Sequence, residues 1–161
     1  MSKSDYLVSN ACLSDDGLYR YFLTRVWDAQ LPVLAFILLN PSTADDEHDD
    51  ATVIRCVDYA KRWGYGGIEV YNLYAFRATN PRELIREKYP VGRDNDKWLH
   101  ELSAKHNRIL VAWGGRAKKD RVREVMAIIG RPVECLKRNK DGSPHHPLRL
   151  AKDIQPFGWT I

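Results

Sequence analysis

The alternation of apolar and polar segments along the chain predicts a layered α/β fold. Short apolar runs bounded by turn residues are typical of strands buried on both faces of a parallel sheet. Such runs occur at 33–39, 68–73, 108–113 and 132–136. Apolar residues at helical spacing lie between them at 51–63, 81–88, 94–106 and 117–129. This order predicts a three-layer α/β/α sandwich around a four-stranded, mainly parallel sheet with right-handed crossovers.

The first 27 residues have a different pattern. Two segments, 6–13 and 18–27, flank the turn-forming stretch Ser14–Gly17, and such an arrangement predicts a β-hairpin. In its second arm, aromatic and aliphatic residues alternate with polar ones, which favours a strand at or near a sheet edge. We expect this hairpin to be structural, and we expect residues 1–161 to form a single domain.

Composition narrows the class of protein. The chain has 44% hydrophobic and 29% charged residues, no apolar run of membrane-spanning length and no apolar signal-peptide core near its first residues. Its three cysteines are far apart, which argues against a zinc or iron–sulfur site. The phosphate-binding fingerprints GxGxxG and GxxxxGK[ST] and the hydrolase motif GxSxG do not occur. We therefore expect a cytoplasmic monomer with no membrane association, cofactor or metal.

Positive charge is concentrated near the end of the chain. The formal net charge is +4, but residues 116–152 contain eleven Lys/Arg and four Asp/Glu. An excess of this kind suggests a polyanionic partner such as DNA, although a solvated basic face would give the same composition.

Polar residues follow each of the four apolar runs. Asn40 comes after the first, Asn72 and Arg77 after the second, Trp113 at the end of the third, and the pair His145–His146 after the fourth. Because the carboxyl ends of parallel strands lie at one edge of the sheet, and ligands bind there, these residues predict one active site. The acidic loop from Asn40 to Asp50 would form one wall of it.

Four segments at these strand ends resemble motifs of the uracil-DNA glycosylase superfamily. They are Leu-Leu-Asn40-Pro41-Ser, Val-Tyr-Asn72-Leu-Tyr, Val-Ala-Trp113-Gly-Gly and His146-Pro147-Leu148. The likeness covers roughly residues 33–152. The longer pattern, which begins with LNPSTAD, also resembles a bacterial and phage family of unassigned function, and that likeness implies no activity.

The glycosylase resemblance implies a DNA-binding enzyme of repair or phage defence that flips a pyrimidine base and hydrolyses its N-glycosidic bond without a metal. Asn40 would orient the water, and His146 would stabilise the departing base. Asp45 or Asp46 would place negative charge near the cationic sugar. Asn72 offers a donor and an acceptor to the Watson–Crick edge. Asn40 stands where the most active uracil-excising enzymes have Asp, so a modified pyrimidine is also a candidate substrate.

Further residues are assigned by chemistry. Aromatic side chains that could stack on the base are Tyr74, Phe76 and Trp113. Arg77 could bind phosphate or pair with the acids at 45–50. Ser42 and Thr43 could hold phosphate beside the base, and Leu148 and Arg149 could act as a wedge in the duplex. The remaining candidates for DNA contact are Ser143, His145, Arg116, Lys118 and Lys119. No lysine is placed as a Schiff-base nucleophile, so we expect no strand cleavage.

Two other functions are compatible with the same residues. The run Asp45–Asp50 could bind Mg²⁺ or Mn²⁺ in a phosphodiesterase or nuclease. Alternatively, the domain could bind nucleic acid without catalysis, and binding would then be sensitive to salt.

Overall fold

The computed structural model describes residues 3–161. A short 3₁₀ turn, Lys3–Asp5, precedes the first strand. The strands are β1 Val8–Leu13, β2 Arg20–Val26, β3 Val33–Leu38, β4 Gly67–Asn72, β5 Ile109–Val111, β6 Val133–Cys135 and β7 Phe157–Trp159. The helices are α1 Ala51–Arg62, α2 Pro81–Arg86, α3 Asn95–Lys105 and α4 Lys119–Ile129. No helix within these residues combines the length and apolarity needed to cross a membrane.

The seven strands form one mixed sheet in the order β1-β2-β4-β3-β5-β6-β7. The four predicted strands β3 to β6 are confirmed, and they form its parallel centre. The predicted strand count was too small for two reasons. The hairpin joins the sheet because β2 pairs antiparallel with β4, and the three-residue strand β7, which contains Gly158, extends the other edge.

Helices cover both faces of the sheet. The apolar side of α1 packs on one face with Leu34, Phe36 and Leu38 of β3. Buried residues of α2, α3 and α4 pack on the other face with Ala35 and Ile37. The α/β class is therefore confirmed, and alternate residues of each strand belong to different cores. Leu38 is in register with Asn72, so the two side chains share the α1 face.

Two connections fix the carboxyl ends of β3 and β4. Pro41 follows β3 and cannot donate a ladder hydrogen bond. The carbonyls that end β4 accept hydrogen bonds from the opposite core: Asn95 Nδ2 lies 3.0 Å from the oxygen of Asn72 and 3.2 Å from that of Leu73. Arg121 Nε donates to the same Leu73 oxygen at 2.9 Å. The backbone at Asn72 and Leu73 is thus fixed by side chains from α3 and α4.

A polar cluster is buried between β4 and the end of α3. The carboxylate of Glu69 lies 2.5 Å from His106 Nε2, and the side chains of both residues are 5% exposed. Lys105 Nζ and Thr24 Oγ1 each donate to it at 3.1 Å. Burial alone would raise the pKa of Glu69, but the hydrogen bonds from His106 and Lys105 outweigh it and lower the pKa to about 2.

This cluster makes stability depend on pH. Because the pKa of Glu69 is lower in the folded chain, its contribution is present above pH 4.5 and is lost as the pH falls toward 2. We expect a loss of about 1 kcal/mol at pH 3.5 and about 3 kcal/mol at pH 2. Urea unfolding of the wild type and Glu69→Gln across this range would measure it. An equally steep decline in both proteins would contradict the assignment.

Candidate functional site

A cavity of about 110 Å³ lies at the carboxyl edge of β3 and β4, beside the first turn of α1. Four residues selected from the sequence line it together: Asn40 and Ser42 after β3, Asn72 at the end of β4, and His146 after β6. Its other lining residues are Arg20, Leu38, Leu39, Pro41, Asp50, Thr52 and Val53. The parallel strands bring these distant segments to one point, as expected for this kind of sheet.

Asn72 is the least satisfied polar group in the cavity wall. Its side chain is 0% exposed, and neither Oδ1 nor Nδ2 has a hydrogen-bond partner in the described chain. Leaving a buried amide unpaired costs about 1–3 kcal/mol for each group. The amide therefore presents one donor and one acceptor to whatever enters the cavity.

His146 has one ring nitrogen in use. Its Nδ1 accepts a hydrogen bond from the backbone N–H of Leu148 at 3.2 Å, so that nitrogen carries no proton. Burial lowers the pKa of His146, and the nearby His145 lowers it further, while Asp50 opposes both effects. The ring is therefore neutral at pH 7, with its proton on Nε2. A neutral imidazole can donate one hydrogen bond from that atom, and His146 lines both this cavity and the neighbouring one.

The Asn40 side chain is held rigidly by backbone carbonyls. Its Nδ2 donates to the oxygens of Ala78 at 2.9 Å, Pro41 at 3.0 Å and Phe76 at 3.4 Å. These bonds tie the loop after β3 to the loop after β4. They occupy the donor of the amide and leave its carbonyl oxygen as the group that can accept a hydrogen bond from water.

Asp50 supplies the carboxylate of the cavity. It is the N-cap of α1, and its Oδ1 accepts a hydrogen bond from Val53 N at 2.9 Å. Asp50 also lines the cavity, as expected for the acidic loop from Asn40 to Asp50, although no role in catalysis was assigned to it from the sequence. Its carboxylate is therefore both a helix cap and the acidic group nearest to Asn72 and His146 in the cavity wall.

Arg20 is a charged residue of the cavity wall that was not selected from the sequence. It begins β2 beside a register shift between Cys12 and Leu13 of β1, and only 2% of it is exposed. Its Nη1 donates to the oxygen of Ala44 at 2.8 Å, but its Nε has no hydrogen-bond partner among residues 3–161. Strand alternation alone could not indicate this inward placement.

The model of one protein family matches residues 20–148 of the chain, and its description is "Protein of unknown function (DUF1643)". The chain belongs to the DUF1643 family. The matched range extends from Arg20 past His146, so it includes every residue that lines the cavity. Neither the curated proteins nor the solved structures yielded a significant match.

The acidic loop of this DUF1643 member is folded around Arg25, which pairs with Asp49 at 2.8 Å in full burial. Arg25 also donates to the backbone oxygens of Asp45 and His48. The Asp45 carboxylate accepts from the N–H groups of Glu47 and His48 at 2.9 and 2.8 Å. Although burial acts to raise the pKa of Asp45, these bonds lower it.

Asp45 consequently stabilises its own loop. The expectation that it would lie in the site is wrong, because it is not among the residues that line the cavity. Its alternative, Asp46, forms an ion pair with Lys3 at 3.6 Å. Across residues 3–161, no group of three or more His, Cys, Asp or Glu side chains is arranged to hold a metal ion. The clustered ligands that the phosphodiesterase hypothesis required are thus directed to different partners.

The candidate stacking residues do not surround the cavity. Tyr74 is buried in the core beneath α3 and α4, and its hydroxyl accepts from Lys118 N at 3.2 Å. Phe76 packs edge-on against Tyr19, with ring centroids 5.7 Å apart. Trp113 is buried at right angles to Trp159. One part of Trp113 lines a neighbouring cavity of about 310 Å³ that also includes Leu39 and His146.

The other DUF1643 residues selected from the sequence are dispersed around this edge. Ser42 lines the small cavity, while Thr43 is exposed. Arg77 donates to the backbone oxygens of Ser42 and Gly17, so the pairing with acids is not observed. His145 and Arg116 line the cavity beside Trp113, and Ser143 and Lys119 line another of about 420 Å³. Exposed or half-buried positions are occupied by Lys118, Leu148 and Arg149, the last with φ of 64°.

Proposed function

We propose that the protein is a monofunctional, metal-independent DNA glycosylase that hydrolyses the N-glycosidic bond of a flipped pyrimidine. The observation that carries the proposal is Asn72: a fully buried amide with both polar atoms unpaired in the wall of a cavity. A buried amide that costs stability without a protein partner is best explained by a ligand that supplies one.

The size of the cavity supports a single flat ring as that ligand. Pockets for drug-sized molecules are about 300–1,000 Å³, whereas this cavity is about 110 Å³. For scale, an apolar cavity of about 150 Å³ binds benzene. A pyrimidine attached to DNA reaches such a depth only when its nucleotide leaves the base stack. Donor and acceptor on Asn72 would then pair with adjacent groups of the base edge.

The polar groups around the ring position suit hydrolysis. The bond between C1′ and the ring nitrogen breaks, and its electron pair goes to the base. His146 donates its Nε2–H to a base oxygen and stabilises that charge. Water adds to C1′, with one of its O–H groups donating a hydrogen bond to Asn40 Oδ1 and remaining as the hydroxyl of the sugar. Asp50, in place of Asp45, takes the other proton and passes it to solvent, and its charge favours the cationic sugar.

The DNA would lie across the basic side of this edge. Arg116, Lys118 and Lys119 lie between β5 and the first turn of α4. Arg116 lines one of the two larger cavities beside Trp113, and Lys119 and Arg138 line the other. Positive side chains of this kind hold phosphates without reading sequence. A monomer acting on DNA in the cytoplasm is the setting that this proposal implies.

The test is release of a base in the presence of EDTA. The full chain is incubated with oligonucleotides that contain modified pyrimidines and with modified phage DNA. Alkali then reveals abasic sites, and mass spectrometry identifies the free base. We expect His146→Gln to slow release about a hundredfold because one donor to the departing base is lost. His100→Gln, at an exposed position on α3, is the matched control and should keep the wild-type rate.

Other outcomes would reject the proposal. Salt-sensitive DNA binding without base release from any substrate would favour a non-catalytic binding module. Nicking that appears only when Mg²⁺ or Mn²⁺ replaces EDTA would favour a phosphodiesterase.

A further inference from the structure

A buried guanidinium group in a polar cavity needs an explanation of its own. Arg20 is almost completely buried, and its hydrogen bond to Ala44 uses Nη1, while Nε has no acceptor. None of the ion pairs found in residues 3–161 includes Arg20. Burial lowers the pKa of Arg20 to about 10, with Asp50 opposing that effect, so the group is charged at neutral pH.

The cavity wall contains other donors and positive partial charges beside Arg20, together with acceptors such as Asn40 Oδ1 and Asn72 Oδ1. Asn72 contributes an unpaired amide N–H₂, and His146 contributes the Nε2–H. The first turn of α1, a helix of 12 residues, directs the positive end of its dipole toward this side. Among residues 3–161, Asp50 is the one carboxylate in the lining, and one of its oxygens accepts a hydrogen bond from Val53 N. Arg20 supplies the positive charge in this lining and can stabilise negative charge that develops on a ligand beside it.

We propose that Arg20 binds the base and stabilises negative charge on its ring, so that the site prefers pyrimidines that are good ring anions. This inference rests on the proposed glycosylase function. When the bond to C1′ breaks, the electron pair passes to the ring nitrogen and spreads onto the ring oxygens. The charge of Arg20 lowers the energy of that anion in a site with little water. Bases with acidic rings and small substituents are then the preferred substrate class.

A purely structural role for Arg20 makes a different forecast. If the residue only joined β2 to Ala44, its removal would disorder the cavity and weaken the binding of all ligands equally. If it stabilises charge on the ring, its removal weakens the binding of an anionic ring far more than the binding of a neutral ring of the same size. The ratio of the two affinities separates the roles, and a lysine at the same position should retain part of the preference.

The experiment measures binding of two free rings by calorimetry: barbiturate, which is an anion at neutral pH, and uracil, which is neutral. The proteins are the full-length wild type, Arg20→Lys and Arg20→Gln. Arg62→Gln, an exposed change at the end of α1, is the control. We expect the wild type and the control to bind barbiturate about ten- to a hundredfold more tightly than uracil. This ratio should fall close to one in Arg20→Gln and partly persist in Arg20→Lys.

Several results would overturn the inference. They are a wild-type ratio near one, no detectable binding of barbiturate, or an unchanged ratio in Arg20→Gln. Thermal melting checks each variant, and if Arg20→Gln does not fold, the wild-type ratio and Arg20→Lys decide. Base release from DNA with no preference for barbiturate would reject the role of Arg20 alone. Preference for barbiturate without base release from any DNA would instead reject the glycosylase.

Discussion

Replacing Asp50 with asparagine is expected to slow base release about a hundredfold or more while leaving the melting temperature almost unchanged. Asparagine is as good an N-cap as aspartate, so the hydrogen bond from Val53 N to this side chain is retained. What the substitution removes is the negative charge and the ability to accept a proton from water. Asp50→Asn therefore keeps the helix cap and removes only the charge and basicity that the proposed chemistry needs.

The matched control is Asp45→Asn. An asparagine oxygen at 45 still accepts from Glu47 N and His48 N, and the residue lies outside the lining of the cavity. We expect its single-turnover rate to stay within about threefold of the wild type. The opposite pattern, with Asp45→Asn inactive and Asp50→Asn active, would restore Asp45 as the auxiliary acid. Full activity in both variants would show that neither Asp45 nor Asp50 is an essential carboxylate.

The contrast between these two aspartates shows where sequence reasoning stops. Six charged or ionisable residues in a row, Asp45–Asp50, offer equal chemistry at every position. Their roles are decided by Arg25, which is twenty or more residues earlier and pairs with Asp49 in full burial. Once Asp49 and the loop carbonyls are turned toward β2, Asp50 is left to cap α1 at the cavity. Only the long-range pairing of β2 with β4 makes that choice.

The same pairing explains why Arg20 was not selected. The hairpin itself was predictable because its turn and alternation are local. Its addition to the sheet beside β4 depends on contacts between Phe22–Val26 and Gly67–Tyr71, which no local pattern contains. By contrast, Asn40, Asn72 and His146 could be selected because each lies at the end of an apolar run or in the segment that follows one, and parallel topology brings such positions together.

The acidic loop raises an electrostatic question for a protein proposed to bind DNA. Five carboxylates beside the site would repel phosphates if they were all free. Asp49 is neutralised by Arg25 and bonded by the hydroxyl of Tyr6 at 2.5 Å. Asp45 is bonded within the loop, and Asp46 pairs with Lys3. The internal pairing of these groups leaves the basic residues after β5 to determine how DNA would approach.

Asn72→Leu is expected to stabilise the protein and to abolish base release. The two side chains are similar in size, and the substitution removes a fully buried amide that has no partner. Replacing such a group with an apolar one should raise the free energy of unfolding by about 1–3 kcal/mol. For a chain of this length, each kcal/mol corresponds to about 2–4 °C in melting temperature.

Asn95→Leu is the appropriate comparison, because Asn95 is equally buried but donates to the carbonyls of Asn72 and Leu73. Its loss should lower the melting temperature, since those oxygens are left unpaired. Opposite shifts in the two leucine variants would mean that the chain retains Asn72 at a cost to folding, as expected for a residue whose partner is a ligand. A similar loss of stability in both would show that Asn72 is bonded within the protein, and would remove the main support for a base in this cavity.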